Sequence, residues 1–222
     1  MLTKQHNTSS EFLFSIPTVS TNLSSGAAIA LQMGALASRQ SEIERTRCEH
    51  PNGRPENVAE HSLMLAKVAP ELVSILYPEL DENLVARFGT LHDDIEAYVG
   101  DTPTDILSNL DPQAKETLEA KGLKQLIKEY AHMPGYVKLM IEYEAQSVPE
   151  ARFVRAVDKL MVLLIHFPNK AAVTKANYTY ESFLKSEIDL LDRDRHKYGE
   201  FDKIIEIRRE LGQELADRYL RD

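Results

Sequence analysis

A run of apolar residues at helical spacing, Leu84, Val85, Ala86, Phe88, Leu91, Ile95 and Val99, passes through a stretch dense in ligand-type side chains, His92-Asp93-Asp94-Ile95-Glu96 and then Gly100-Asp101. The spacing predicts a helix over about 82–99, with Asp81 as N-cap and Gly100 just past its end. On such a helix Glu96 follows His92 by four residues and Asp93 by three, so the three side chains reach one side. Asp101, just beyond, can fold back over that side. An imidazole with several carboxylates makes a reasonable divalent-metal site, although a His-Asp pair alone arises by chance in many proteins.

The rest of the chain reads as more helices of the same kind. A first helix is expected over 26–45, burying Ile29, Met33, Leu36 and Ile43, followed by a loop over 46–55 marked by Pro51, Asn52-Gly53 and Pro55. Asn57 with Glu60 forms a capping-box pattern that opens a second helix, which carries His61 in its first turn and stops before Pro78. Thr102 to Leu110 reads as a loop or short turn. Asp111-Pro112 opens a charged helix to about 132, Tyr136 to Gln146 a short one, and Pro149 a strongly apolar one closed by Pro168. Asp158 stands in the middle of that last helix, where a carboxylate is costly to bury without a cation. Helices near 180–197 and 200–220 complete the chain. Strand alternation is absent, so the expected class is all-α, with about seven to nine helices. The expected division is an irregular N-terminal arm over 1–25, docked by Phe12, Leu13, Phe14 and Ile16, and one domain over 26–222. Within that domain the core spans 45–168 and the C-terminal helices 178–222.

At 222 residues and 43% hydrophobic, the chain has ample material for one core. No apolar run is long enough to span a bilayer, and the N-terminus lacks the pattern of a signal peptide. One cysteine, Cys48, fits a reducing cytoplasm. The net charge of −9 argues against a nucleic-acid polymer as partner, yet an anionic small substrate stays possible where a cation reverses the local sign.

Four candidate ligands therefore stand on three apolar helices: His61, His92, Asp93 and Asp158. Imidazole nitrogen with carboxylate oxygen suits divalent Mn, Co, Fe, Ni or Zn. Their order resembles the H…HD…D signature of HD-domain metal-dependent phosphohydrolases, and one branch in particular, the 5′-deoxynucleotidase-like proteins. Three segments carry the resemblance. They are Arg54-Pro55-Glu56-Asn57-Val58-Ala59-Glu60-His61, His92-Asp93 with Glu96, Gly100-Asp101 and Pro103-Thr104, and Glu142-Tyr143-Glu144-Ala145 with Glu150 to Leu160.

The resemblance implies an all-α helical bundle and one divalent metal ion, Mg included among the candidates, on those four ligands. It implies catalytic roles for Glu96 and Asp101, and a nucleotide substrate losing its 5′-phosphate. An arginine upstream of the first histidine would hold phosphate, with Arg47 the nearest match and Arg45 and Arg54 as competitors; Lys159 is a second candidate. The branch places a tryptophan after that arginine against the ribose 2′-hydroxyl, whereas Cys48 follows Arg47 here and the chain has no tryptophan. A homodimer is expected from the amphipathic C-terminal helices together with the resemblance. Two alternatives are a deoxynucleoside triphosphate triphosphohydrolase, and a non-catalytic metal-stabilised nucleotide-binding or scaffold protein. The second has no need of Glu96 and Asp101.

Overall fold

A computed structural model describes residues 12–101, 112–170, 173 and 177–221; the stretch expected to form the 102–110 loop lies outside them. Helix α1 spans Ser25–Gln40, capped by Ser24 Oγ, which accepts from Ala27 N. A short antiparallel ribbon follows, β1 (Glu44–Glu49) with β2 (Pro55–Asn57). Helix α2 (Val58–Leu76) starts with the expected capping box between Asn57 and Glu60, and α3 (Glu82–Leu91) starts at Asp81, which accepts from Asn83 N and Leu84 N. Then come α4 (Glu96–Val99), α5 (Pro112–Glu129), α6 (Pro134–Glu144) and α7 (Pro149–His166). Two long helices, α8 (Tyr180–Tyr198) and α9 (Asp202–Tyr219), are joined by a 3-10 turn over Gly199–Phe201. Pro134 and Pro149 each occupy a first-turn position, where the missing N–H costs nothing.

Helices α2, α3 and α7 form the centre of the bundle, around Leu65, Val73, Val85, Phe88, Phe153, Val157 and Leu160. The closest approach is at Gly89 of α3, where a Cβ would lie 2.9 Å from the Ala66 Cα of α2. The C-terminal pair packs on α7 through a second cluster containing Leu163, Phe183 and Leu215. Between those two helices the buried Arg208 is held by Asp194 (2.6 Å) and Glu187 (3.3 Å), so the charge is paired where water is excluded. Among the described residues no helix is long and apolar enough to cross a membrane.

Three expectations are corrected. The helix expected over 82–99 breaks: residues 92–95 form a turn in which Asp94 N donates to Leu91 O and Glu96 N to Asp93 O, three residues back rather than four. The first helix stops at Gln40 rather than running to 45, because Glu42 N and Ile43 N also reach back only three residues. It buries Gln32, Leu36 and Gln40, while Ile29 remains exposed. Finally, the expected loop over 46–55 shrinks to a turn over residues 50–54, with residues 46–49 and 55 taken into the ribbon. Few apolar residues mark it; tertiary contacts hold it, with Val58 N donating to Ile43 O and Asn169 Nδ2 to the carbonyls of Glu49 and His50.

The N-terminal segment from Phe12 lies against the bundle through Phe12, Phe14 and Ile16, while the Leu13 side chain of the expected patch stays exposed. Leu13 N donates to Tyr98 O, Phe12 and Phe14 meet the Tyr98 ring edge-on, and Ile16 N donates to the Glu129 carboxylate.

Candidate metal centre

Three local devices place the four candidate ligands. His61 is in the first turn of α2, fixed by the capping box just upstream. His92 and Asp93 sit on the 92–95 turn that ends α3, and Asp158 is midway along α7. Helix packing brings them together. His61 Nε2 lies 3.0 Å from Asp158 Oδ1 and 3.6 Å from Asp93 Oδ2, and His92 Nε2 lies 2.9 Å from Asp93 Oδ2. One ligand atom each from His61, His92 and Asp158 falls within 4.8 Å of the others.

These residues fit a divalent cation by spacing and by hydrogen bonding. In an octahedral shell with bonds of about 2.0–2.1 Å, neighbouring ligand atoms stand about 3 Å apart and opposite ones about 4 Å apart. The observed separations fall in or near that range. His92 Nδ1 is 3.1 Å from Gly89 O, which can only accept, so a neutral ring carries its free lone pair on Nε2. That Nε2 is buried without an aligned hydrogen-bond partner, although Asp93 Oδ2 is near. Two ligand atoms in contact yet not aimed at each other are what a shared ion between them requires. Lys159 Nζ takes Asp158 Oδ2 at 2.7 Å, leaving Oδ1 for the centre. Burial opposes ionisation of Asp158, but Lys159 and His61 overcome it and hold the carboxyl well below the usual range.

The carboxylates expected to act chemically are close by. Glu96 opens α4, and its Oε2 is enclosed without a partner. Burial, reinforced by Asp93 and Asp101, pushes its acid well above the usual range. Asp101 Oδ2 accepts from Thr46 N of β1 at 2.7 Å, which ties the residue after α4 to the ribbon.

The candidate phosphate residues divide. The side chain of Arg47 lies outside the described residues. Arg54 is turned outward into a bidentate pair with Glu60, at 2.6 and 3.0 Å. Arg45 faces the centre: burial opposes its charge, but Asp93 and Asp158 more than compensate, and Nη1 lies 3.3 Å from Glu56 Oε2.

Two residues of the site had no role assigned from the sequence. Glu56 is almost wholly buried, 4.0 Å from His61 Nδ1, and its neighbourhood in the Arg54–His61 segment was the available signal. Asp94 is buried too, with Oδ1 accepting from Gln40 Nε2 (2.9 Å) and Oδ2 from Tyr136 OH (2.6 Å). Burial pushes its acid up to about 7. Only its position between Asp93 and Glu96 pointed to it.

The chain is similar to the 5′-deoxynucleotidase HDDC2 of Homo sapiens, at 31% identity over 141 residues, covering 63% of this chain and 67% of that one. The Bos taurus protein of the same name is 32% identical over 148 residues, covering 66% and 70%. A solved structure described as a predicted metal-dependent phosphohydrolase from Magnetospirillum magnetotacticum MS-1 superposes with a TM-score of 0.63 at 28% identity, covering 86% of this chain and 95% of that one. The family model described as HD domain matches residues 38–196, which include all four candidate ligands and both catalytic candidates. The chain belongs to the HD-domain family.

Proposed function

We propose that this HD-domain phosphohydrolase removes the 5′-phosphate from (deoxy)nucleoside monophosphates, with His61, His92, Asp93 and Asp158 as ligands of one divalent ion. The observation that carries the reading is the enclosed Glu96 carboxyl beside a ligand cluster that does not use it. A binding or scaffold protein has no need of such a group. The names of the 5′-deoxynucleotidase relatives support the substrate class.

A divalent cation supplies Lewis acidity, drawing charge from the phosphoryl group and acidifying water. The chain's own residues do the rest. Arg45 and Lys159 are cations at the edge of the centre and meet the phosphate oxygens. Arg47 stays a further candidate for the same task. Asp101, oriented by Thr46 N, takes a proton from the attacking water. As water bonds to phosphorus, the P–O5′ bond breaks with its electron pair on O5′. Glu96, whose acid burial pushes well above the usual range, gives that oxygen its proton. The products are a nucleoside and inorganic phosphate.

The test is a panel of nucleoside mono- and triphosphates, ribo and deoxy, each with several divalent cations, with products separated by chromatography. Release of phosphate from monophosphates is the expected result. Release of triphosphate identifies the triphosphohydrolase alternative, and binding without turnover identifies the scaffold alternative; either overturns the reading.

Two finer expectations accompany it. Exposed apolar side chains at Leu63, Ile75 and Ile188 support a homodimer, which sedimentation as a monomer at micromolar concentration would refute. The buried Cys48, the chain's one cysteine, is consistent with a reducing cytoplasm.

A further inference from the structure

Between His92-Asp93 and Glu96 the chain leaves the α-helical ladder for bonds that reach back only three residues, Asp94 N to Leu91 O, Glu96 N to Asp93 O and Ala97 N to Asp94 O. Asp94 occupies its middle, and its carboxylate is claimed by two other helices. Gln40 Nε2, from the last residue of α1, donates to Oδ1, and Tyr136 OH, from the first turn of α6, donates to Oδ2. Gln40 is itself buried, and Ile43 N donates to its carbonyl just before β1 begins with Glu44 and Arg45. The Tyr136 ring packs edge-on against Tyr130 at 5.2 Å, so its hydroxyl is aimed by packing rather than by chance.

We infer that Asp94 is a positioning residue of the metal centre: it pins the 92–95 turn between α1 and α6, and so fixes where His92, Asp93 and Glu96 point. The physical reason is rigidity. A ligand set on a four-residue turn holds its geometry only if something locks the turn, and groups that orient metal ligands are typically worth about 10–100-fold in affinity or activity. Here both carboxylate oxygens of Asp94 are satisfied by side chains from elements more than 35 residues away in either direction. A side chain needed only to fill space would not require two such donors. The inference rests on the ligand assignment proposed above.

The test is Mn2+ affinity, read from the loss of the free-ion electron paramagnetic resonance signal, together with kcat and KM at saturating Mn2+. Asp94→Ala should weaken Mn2+ binding by about 10–100-fold and lower kcat more than it raises KM. Asp94→Asn retains an oxygen for Gln40 and an amide beside Tyr136 OH, and should recover to within about threefold of the parent. Tyr136→Phe removes one hydroxyl and should fall between the two. Adding it to Asp94→Ala should cost nothing more, since the shared bond is already gone. Leu215→Ala, in the second core cluster, supplies a control for lost stability: it should melt earlier and bind Mn2+ like the parent.

Asp94→Ala binding Mn2+ within twofold of the parent overturns the inference, as does Asp94→Asn being impaired as severely as Asp94→Ala. Should Asp94→Ala fail to fold, Tyr136→Phe with parental Mn2+ affinity and kcat overturns it instead. Failure of the parent to bind Mn2+ would instead strike the ligand assignment, which keeps the two outcomes apart.

Discussion

Replacing Gly89 by alanine tests the contact that sets the distance between the two histidines. Gly89 lies in α3 three residues before His92, and the added Cβ would meet Ala66 of α2 at 2.9 Å from Cα, 3.1 Å from N and 3.4 Å from Cβ. Ordinary contacts between carbon atoms are about 3.5–4.0 Å, so the two helices must separate by about 0.6–1 Å. The nearest obstacles are backbone atoms, which no side-chain rotation relieves. Such overpacking costs about 1–3 kcal/mol, and the helix propensity gained on replacing glycine returns about 1 kcal/mol. A net loss of up to about 2 kcal/mol remains, which in a chain of this size lowers Tm by up to about 8 °C. The separation also acts on function, because His61 rides on α2 and His92 follows α3. Metal sites tolerate ligand displacements of only about 0.2 Å, so Mn2+ affinity should fall about tenfold or more. The assays are thermal melting of the metal-free protein and Mn2+ titration. Gly34→Ala is the control: Gly34 is inside α1 with nothing within 4 Å of its added Cβ, and the change should stabilise by up to about 1 kcal/mol. A Gly89→Ala protein that melts with or above the parent and holds Mn2+ as tightly would refute the reasoning.

Further outcomes are expected from single groups. Glu96→Gln should retain Mn2+ by elemental analysis and lose about 10²–10⁴ in kcat, whereas Asp93→Ala should lose the metal itself; parental turnover by Glu96→Gln removes the proton-transfer role. Burial pushes the Cys48 thiol up to about 11, so at pH 8 only about one in 10³ of these groups is thiolate. Alkylation should be negligible in the folded protein and complete on unfolding, and rapid labelling of the native chain would contradict the placement of β1. Arg54, aided by His50, pulls Glu60 down to about 2. Since its folded value lies below the ordinary carboxylate value, the stability it contributes is present above about pH 4.5 and is lost as pH falls through about 2. Glu60→Gln, which retains the capping hydrogen bond, should flatten the acid limb of a Tm-against-pH curve, by about 1 kcal/mol or less given the exposure of the pair.

The sequence by itself determined the helical class and most helix ends, because those depend on neighbours a few residues away. Asp81 and Asn57 cap as their side chains dictate, and Pro149 opens a helix where a missing N–H is harmless; Pro134 does the same two residues before the expected start at Tyr136. It also marked His61, His92, Asp93 and Asp158 as one candidate set, since their order along the chain carries the family resemblance. Only the tertiary structure decided what depends on residues far apart. The helical pattern through His92 continues unbroken in sequence, but the chain turns there, and Asp94 is held in that turn by Gln40 and Tyr136 from other helices. The ribbon that brings Arg45 to the centre has almost no apolar alternation; a carbonyl of residue 43, the carboxylate of Asp101 and the amide of Asn169 hold it in place. Local propensity is summed over a few residues and can be read from them. The aim of a buried arginine or carboxylate is set by which distant donors reach it, and that becomes visible only when the helices are packed.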